Sequence, residues 1–141
     1  MSLALEEAQK AYQIGEVPIG AVVVLNEEVI GKGHNLKELL QDSTLHAEII
    51  AIKEASQKLG TWRLENCDMY VTLEPCPMCA GAIIQARIKN LYIATADPKG
   101  GACGSIVNLF LEPWNHKVNV EFGIMKEESS QLLRDFFKEL R

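Results

Sequence analysis

The sequence predicts an α/β fold, a three-layer α/β/α sandwich around a five-stranded mixed sheet. Short apolar runs rich in Val, Ile and Leu alternate along the chain with segments of helical period. The first two runs are separated only by a turn, "NEE", so they form a hairpin. From there on helices alternate with strands, an order that implies a mixed sheet with helices on both faces.

Each element has its own warrant. Residues 3–14 place Leu5, Ala8 and Tyr12 at helical spacing, and Gly15 is a stop signal. "PIGAVVVL" (18–25) is a continuous apolar run, hence a buried strand, and "VIGKGHN" (29–35) is its hairpin partner. Residues 46–59 return to the helical period through Ile49, Ile50, Ile52, Ala55 and Leu59. "CDMYVTL" (67–73) is a strand, residues 77–87 a helix and "KNLYIAT" (89–95) another strand. The Gly-rich loop "DPKGGACGS" (97–105) leads to a short helix, and "KVNVEF" (117–122) is the last strand. A final helix from about Lys126 sets Leu132, Leu133, Phe136, Phe137 and Leu140 along one stripe.

Size and composition bound the function. A chain of 141 residues with no repeat and no Pro/Gly/Ser linker is expected to be one domain, 1–141, able to bury a core without staples. Apolar residues make up 48% and charged residues 23%, and no apolar run approaches the roughly eighteen residues of a membrane span. The first residues, "MSLALEEAQKAY", are acidic and amphipathic, unlike a signal peptide, so a cytoplasmic protein with no membrane partner is expected. A net charge of −5 disfavours non-specific binding to polyanions and leaves room for a local basic patch. The cysteines are Cys67, Cys76, Cys79 and Cys103, and without a secretory signal the Cys-x-x-Cys pair reads as metal-binding or redox-active.

Two phrases carry the chemistry: "TLHAEIIA", containing His46 and Glu48, and "LEPCPMC", containing Cys76 and Cys79. Zinc takes thiolate and imidazole ligands, and a catalytic zinc site supplies three of them and keeps one position open. Pro77 suits the first turn of a helix, which sets Cys76 at or just before its start and Cys79 within the first turn, where the dipole favours thiolates. His46 and Glu48, two apart, converge only if His46 stands at the mouth of its own helix, with Thr44 or a neighbour as cap. Two thiolates and a neutral imidazole around Zn²⁺ leave no net charge, which suits acidification of a water, and a carboxylate alongside can move its proton. Alone, Cys-x-x-Cys also fits a redox pair or half a structural zinc knuckle, and His-x-Glu is common on helix surfaces. Their joint placement at two helix starts favours metal catalysis. His34 and His116 lack ligand-spaced partners and read as structural or substrate-edge residues, and Cys67 and Cys103 as reduced and buried.

His-Ala-Glu followed by Pro-Cys-x-x-Cys resembles the signature of zinc-dependent nucleobase deaminases. With "GEVPIGAVVV", "GHN", "TWRLENC", "DPKGGACGS", "NHKV" and "LLRDFFKEL" in order, nearly the whole chain is similar to the bacterial tRNA-specific adenosine deaminases. The resemblance implies a cytidine-deaminase-like fold, a homodimer, and hydrolysis of the wobble adenosine of a tRNA anticodon loop to inosine with release of ammonia. It implies one Zn²⁺ per subunit on His46, Cys76 and Cys79, with Glu48 as proton shuttle. It places Asn35 against the target nucleoside and Asp97 near the ribose. Phe137, or its neighbour Phe136, is a candidate to stack on a splayed base, the other packing inside. Ser43 and Leu45 depart from the family pattern, where Pro and Ala are usual. The basic residues available for phosphates are Lys32, Lys37, Arg63, Lys99, Arg134, Lys138 and Arg141, most of them more simply solvated surface. Two other readings stand beside this one: a zinc-dependent deaminase of a free base or nucleoside such as guanine or cytosine, and a non-catalytic zinc-stabilised RNA-binding subunit.

Overall fold

The computed structural model describes residues 1–140. Its sheet runs in the order β2 (Glu28–His34), β1 (Gly20–Leu25), β3 (Asp68–Leu73), β4 (Asn90–Thr95), β5 (Asn119–Phe122). β1 pairs antiparallel with both β2 and β3, whereas β3, β4 and β5 run parallel. Two helices, α1 (Ser2–Gln13) and α4 (Lys126–Glu139), cover one face, and α2 (Ala47–Leu59) and α3 (Pro77–Gln85) cover the other. The expected three-layer α/β/α sandwich is therefore present.

The main core lies between the sheet and the α2/α3 layer. Alternation along the strands selects it: Ala21 and Val23 of β1, Met69 and Val71 of β3, and Leu91 and Ile93 of β4 are fully buried there, with Ile83, Ile84 and Leu64 against them. Helix α2 presents Ala47, Ala51 and Ala55, one residue per turn, to the sheet. The strand opposite answers with Gly31 and Gly33, which pair with Val23 and Ala21. A Cβ on Gly33 would strike the Ala47 carbonyl and come within 2.8 Å of the Ala51 nitrogen; one on Gly31 would come within 2.9 Å of the Ala55 nitrogen. Small residues on both sides let the backbone of α2 rest directly on β2, which fixes the helix to the sheet within a fraction of an ångström.

Element boundaries moved where local hydrogen bonding decided them. The first ladder starts at Gly20, because the Ile19 amide is taken by the Val17 carbonyl (2.9 Å). Cys67 stands just before β3, its carbonyl accepting from the Lys89 amide (2.9 Å). The short helix after the Gly-rich loop is a single 3₁₀ turn, Leu109–Leu111, with the Asn108 side chain capping the Phe110 amide. Thr44 does not cap α2: its hydroxyl and amide both turn back to Asp42 Oδ1 (2.7 and 2.9 Å), a local turn that outcompetes the cap. Among the described residues no helix is long and apolar enough to cross a membrane.

Candidate active site

Helices α2 and α3 both begin at the same end of the sheet, and their mouths carry the four residues of the two sequence phrases. His46 is the N-cap of α2, with extended backbone (φ −80°, ψ 155°), and its carbonyl accepts from the Ile50 amide (3.1 Å). Cys76 is the N-cap of α3, Pro77 is its first residue, and Cys79 lies in the first turn. That half-in position of His46 is what turns a residue two before Glu48 toward the same space.

The geometry fits a tetrahedral metal. His46 Nδ1 is 3.6 Å from Cys76 Sγ and 3.5 Å from Cys79 Sγ. Metal–sulfur bonds of about 2.3 Å and metal–nitrogen bonds of about 2.0–2.1 Å at a tetrahedral angle set S and N about 3.6 Å apart. The three ligand atoms all lie within 4.8 Å of one another, and neither Cys67 nor Cys103 belongs to the group. Both of those are free and buried, and burial pushes their thiols up, so they remain protonated.

Electrostatics at this mouth are poised for a cation. Cys79 donates to Cys76, which, with the His46 ring, draws the Cys76 thiol down to about 4; the same bond and burial push Cys79 up. His46 is raised by its contact with Cys76. A divalent cation held by these three residues would supply the missing positive charge and favour the deprotonated form of both thiols. Glu48 is 4% exposed, and burial pushes its carboxyl up to about 7, within reach of taking and giving a proton near neutrality.

In front of this cluster opens a cavity of about 820 Å³ that reaches His46. Asn35, Asp97 and Phe137, more than a hundred residues apart at the extremes, all line it. The Asn35 carboxamide bridges Val17 O (3.4 Å) and the Lys37 amide (3.1 Å), so it is held at the end of β2 rather than free to rotate. Asp97 caps its own loop through the Lys99 and Gly100 amides (3.1 and 3.2 Å) while facing the cavity. Of the two adjacent aromatics, Phe136 is buried edge-on against Tyr12 (5.6 Å), and Phe137 is 46% exposed at the cavity wall beside Leu133.

The structure sorts the remaining residues. Lys37 and Lys99 stand at the cavity, one on each side loop. Lys32 lines a separate hollow beside Glu7 and His34. Arg63 lies over the exposed Trp62 ring (4.5 Å) beyond the far end of α2, with Arg87 nearby (5.6 Å). Arg134 and Lys138 are exposed on α4 outside the cavity lining, and Arg141 lies outside the described residues. His34 Nδ1 meets Glu7 Oε1 (3.0 Å) and His116 Nε2 donates to Ile88 O (2.7 Å), both structural roles. Trp114 is half-exposed and donates through Nε1 to Leu109 O (2.7 Å).

Two buried glutamates that hold the loops flanking the cavity escaped the reading of the sequence. Glu74, 3% exposed, accepts from the Asp97, Cys103 and Ser105 amides and from the Ser105 hydroxyl. Burial would raise its carboxyl, but these donors outweigh burial and hold it below its ordinary value. Glu16, 2% exposed, accepts from the Leu39 amide through Oε1, and its Oε2 has no partner among the described residues. Each ties down one of the loops that flank the cavity. The available signal was position: an acid directly after an apolar strand and before Pro75, and one between Gly15 and Pro18.

An open α/β sheet builds its site where neighbouring strands end and helices begin. Here that site joins a thiolate–imidazole trio to a buried acid, which defines an enzyme of the zinc-type base deaminases. Within that class the chain belongs to the MafB19-like deaminase family, whose model matches residues 1–141. It is 51% identical over 142 residues to the tRNA-specific adenosine deaminase of Bacillus subtilis (strain 168), covering 100% of this chain and 88% of that protein. The counterpart of the same name from Aquifex aeolicus (strain VF5) is 47% identical, with 100% and 93% covered. Among solved structures, one from studies of A-to-I editing by tRNA:A34 deaminases at the wobble position of transfer RNA superposes with a TM-score of 0.91. It is 49% identical, and the match covers 94% of this chain and 97% of that one.

Proposed function

We propose that the chain hydrolyses the wobble adenosine of a tRNA anticodon loop to inosine, releasing ammonia, with residues 1–141 acting as one deaminase unit. One observation carries this reading: the His46–Cys76–Cys79 trio reaches, through His46, a cavity of about 820 Å³ in a chain 51% identical along its whole length to a tRNA-specific adenosine deaminase.

His46, Cys76 and Cys79 would hold one Zn²⁺ per subunit, which when bound would lower the pKa of a water and so supply a nucleophile at neutral pH. Glu48 takes the proton of the water that attacks C6, gives it to N1, and then moves the proton of the new C6 hydroxyl to the amino group, so that the C–N bond breaks and ammonia leaves. Its burial in the first turn of α2 suits this task, since it keeps the carried proton out of bulk water. Asn35, pinned at both ends of its amide, orients the nucleoside, and Asp97 meets the ribose. Phe137 stacks on a splayed base, a contact worth about 1–3 kcal/mol. An anticodon loop is single-stranded, so its base enters the cavity at small cost. Lys37 and Lys99 face the phosphates and offset the repulsion that a net charge of −5 sets up. The protein acts in the cytoplasm as a homodimer. Exposed Ile106, Leu111 and Trp114, clustered around the 3₁₀ turn that packs on α3, suit a subunit contact.

The test is a substrate panel with metal analysis on the same sample. An anticodon stem-loop with adenosine at the wobble position, free adenosine, cytidine and guanine are offered, and ammonia and inosine are measured. The expected result is turnover of the stem-loop by protein carrying one zinc. Turnover of guanine with none of the stem-loop overturns the proposal.

A further inference from the structure

We propose that Glu74 is a positioning residue for substrate binding: its buried carboxylate fixes the 97–105 loop and so sets where Asp97 meets the substrate. The inference rests on the reading above that Asp97 faces the ribose.

Glu74 follows the last residue of β3 and precedes Pro75 and the ligand Cys76. Its Oε1 receives the Asp97 amide (3.0 Å) and the Ser105 hydroxyl (2.5 Å), and its Oε2 receives the Cys103 amide (2.9 Å) and the Ser105 amide (3.1 Å). The loop is thus gripped at its first residue and at its end. Its middle is wrapped around the same group: a Cβ on Gly101 would run into the Glu74 carboxyl, so only glycine lets the chain pass there. The neighbouring backbone completes the frame, with the Ala102 amide on Pro75 O (2.9 Å) and the Gly101 amide on Asp97 O (2.9 Å). Asp97 is therefore referenced to the strand end that carries Cys76, and a substrate held by Asp97 is held in register with the reacting centre.

The donor pattern makes the carboxylate specific. Three of the four partners are backbone N–H groups that can only donate, and they approach both oxygens. A carboxamide in either orientation turns its NH₂ on at least one of them. Glu74→Gln, nearly isosteric, leaves a buried amide unpaired, and the loop gives way. A role confined to the fold predicts lower stability with unchanged kinetic constants per zinc-loaded molecule. A positioning role predicts a selective loss in substrate binding.

The experiment compares wild type, Glu74→Gln, Gly101→Ala, Ser105→Ala, Asp97→Ala and the Glu74→Gln/Asp97→Ala double variant. Zinc content, kcat and KM are measured on the stem-loop, and amide hydrogen exchange is followed at Asp97, Cys103 and Ser105. Glu74→Gln and Gly101→Ala are expected to keep one zinc, to raise KM roughly tenfold with kcat within about threefold, and to speed exchange at the three amides. Asp97→Ala raises KM similarly, and the double variant is no worse than Asp97→Ala alone, because both act through one contact. Should Glu74→Gln fail to fold, Ser105→Ala removes only the hydroxyl donor and is expected to move KM in the same direction by a smaller factor. Additive losses in the double variant, or an unchanged KM in both Gly101→Ala and Ser105→Ala, overturn the proposal. Wild-type protein silent on the stem-loop sinks the substrate reading instead, and exchange at the three amides then still reports whether Glu74 holds the loop.

Discussion

The contact between β2 and α2 makes a quantitative prediction about the metal site. In Gly33→Ala the new methyl meets the Ala47 carbonyl, the Ala51 nitrogen at 2.8 Å and Ile50 Cβ at 2.9 Å. Comfortable contact needs about 3.5–4.0 Å, so the first turn of α2 must lift from the sheet by roughly 1 Å. His46 caps that turn and moves with it. Its Nδ1 stands 3.5–3.6 Å from the two sulfurs, and a metal tolerates only about 0.2 Å of error in ligand distance. Zinc affinity is therefore expected to fall about 10–100-fold, the range found when the groups supporting a ligand are disturbed. The control is Gly31→Ala, whose methyl strikes Ala51 and Ala55 deeper along the helix, away from His46. Both variants overpack and lose about 1–3 kcal/mol of stability in urea unfolding. Only Gly33→Ala weakens zinc in a chelator competition. Equal zinc affinity in the two variants, with both destabilised, would refute the claim that this close approach positions His46.

Four further variants have outcomes that follow from the structure. Glu48→Gln, a near-isosteric change at a buried position, is expected to keep zinc and RNA binding and to lose about 10²–10⁴ in kcat; full turnover in a single-turnover assay removes Glu48 from the chemistry. Phe136→Ala, emptying a buried site against Tyr12, costs about 3–5 kcal/mol of stability, as read by thermal unfolding. Phe137→Ala instead leaves stability within about 1 kcal/mol while raising KM for the stem-loop about 5–100-fold, and the reverse pattern contradicts the assignment of faces. Glu7 is buried between Lys10 (2.6 Å) and His34 (3.0 Å); burial alone would raise its carboxyl, yet these two partners hold it below its ordinary value. Its stabilisation is present above about pH 4.3, where the unfolded carboxyl ionises, and is lost as pH falls through the lower folded value. Glu7→Gln is thus less stable than wild type at pH 7, with the gap closing in acid; a gap that persists at low pH refutes the charge argument.

Much of the candidate site was legible because His46, Cys76 and Cys79 sit at helix starts, where local rules are strict. Pro77 dictated the start of α3 and so the relation of Cys76 to Cys79. The two-residue spacing of His46 and Glu48 required His46 to be an N-cap, and the backbone of His46 has that form. The cap itself was misjudged. Thr44 is of the right type, but Asp42 lies two residues away and captures both its hydroxyl and its amide. Competition between two equally local hydrogen bonds is decided by the path of the 35–45 loop, which residue type alone does not give. The partners of Glu74 and Glu16 were invisible for a related reason: they are mostly backbone amides, and every residue but proline carries one.

By itself the sequence determined the alternation of strands and helices and the placing of His46, Cys76 and Cys79 at two helix starts, because each follows from periodicity or from the first turn of a helix. The choice of which aromatic points inward, the convergence of Asn35, Asp97 and Phe137 on one cavity, and the suspension of its flanking loops from two buried carboxylates were decided only by tertiary structure. These contacts join segments distant in the chain, and whether a carboxylate meets a given amide depends on how the loops close over the sheet, a property of the packed whole rather than of any stretch of residues.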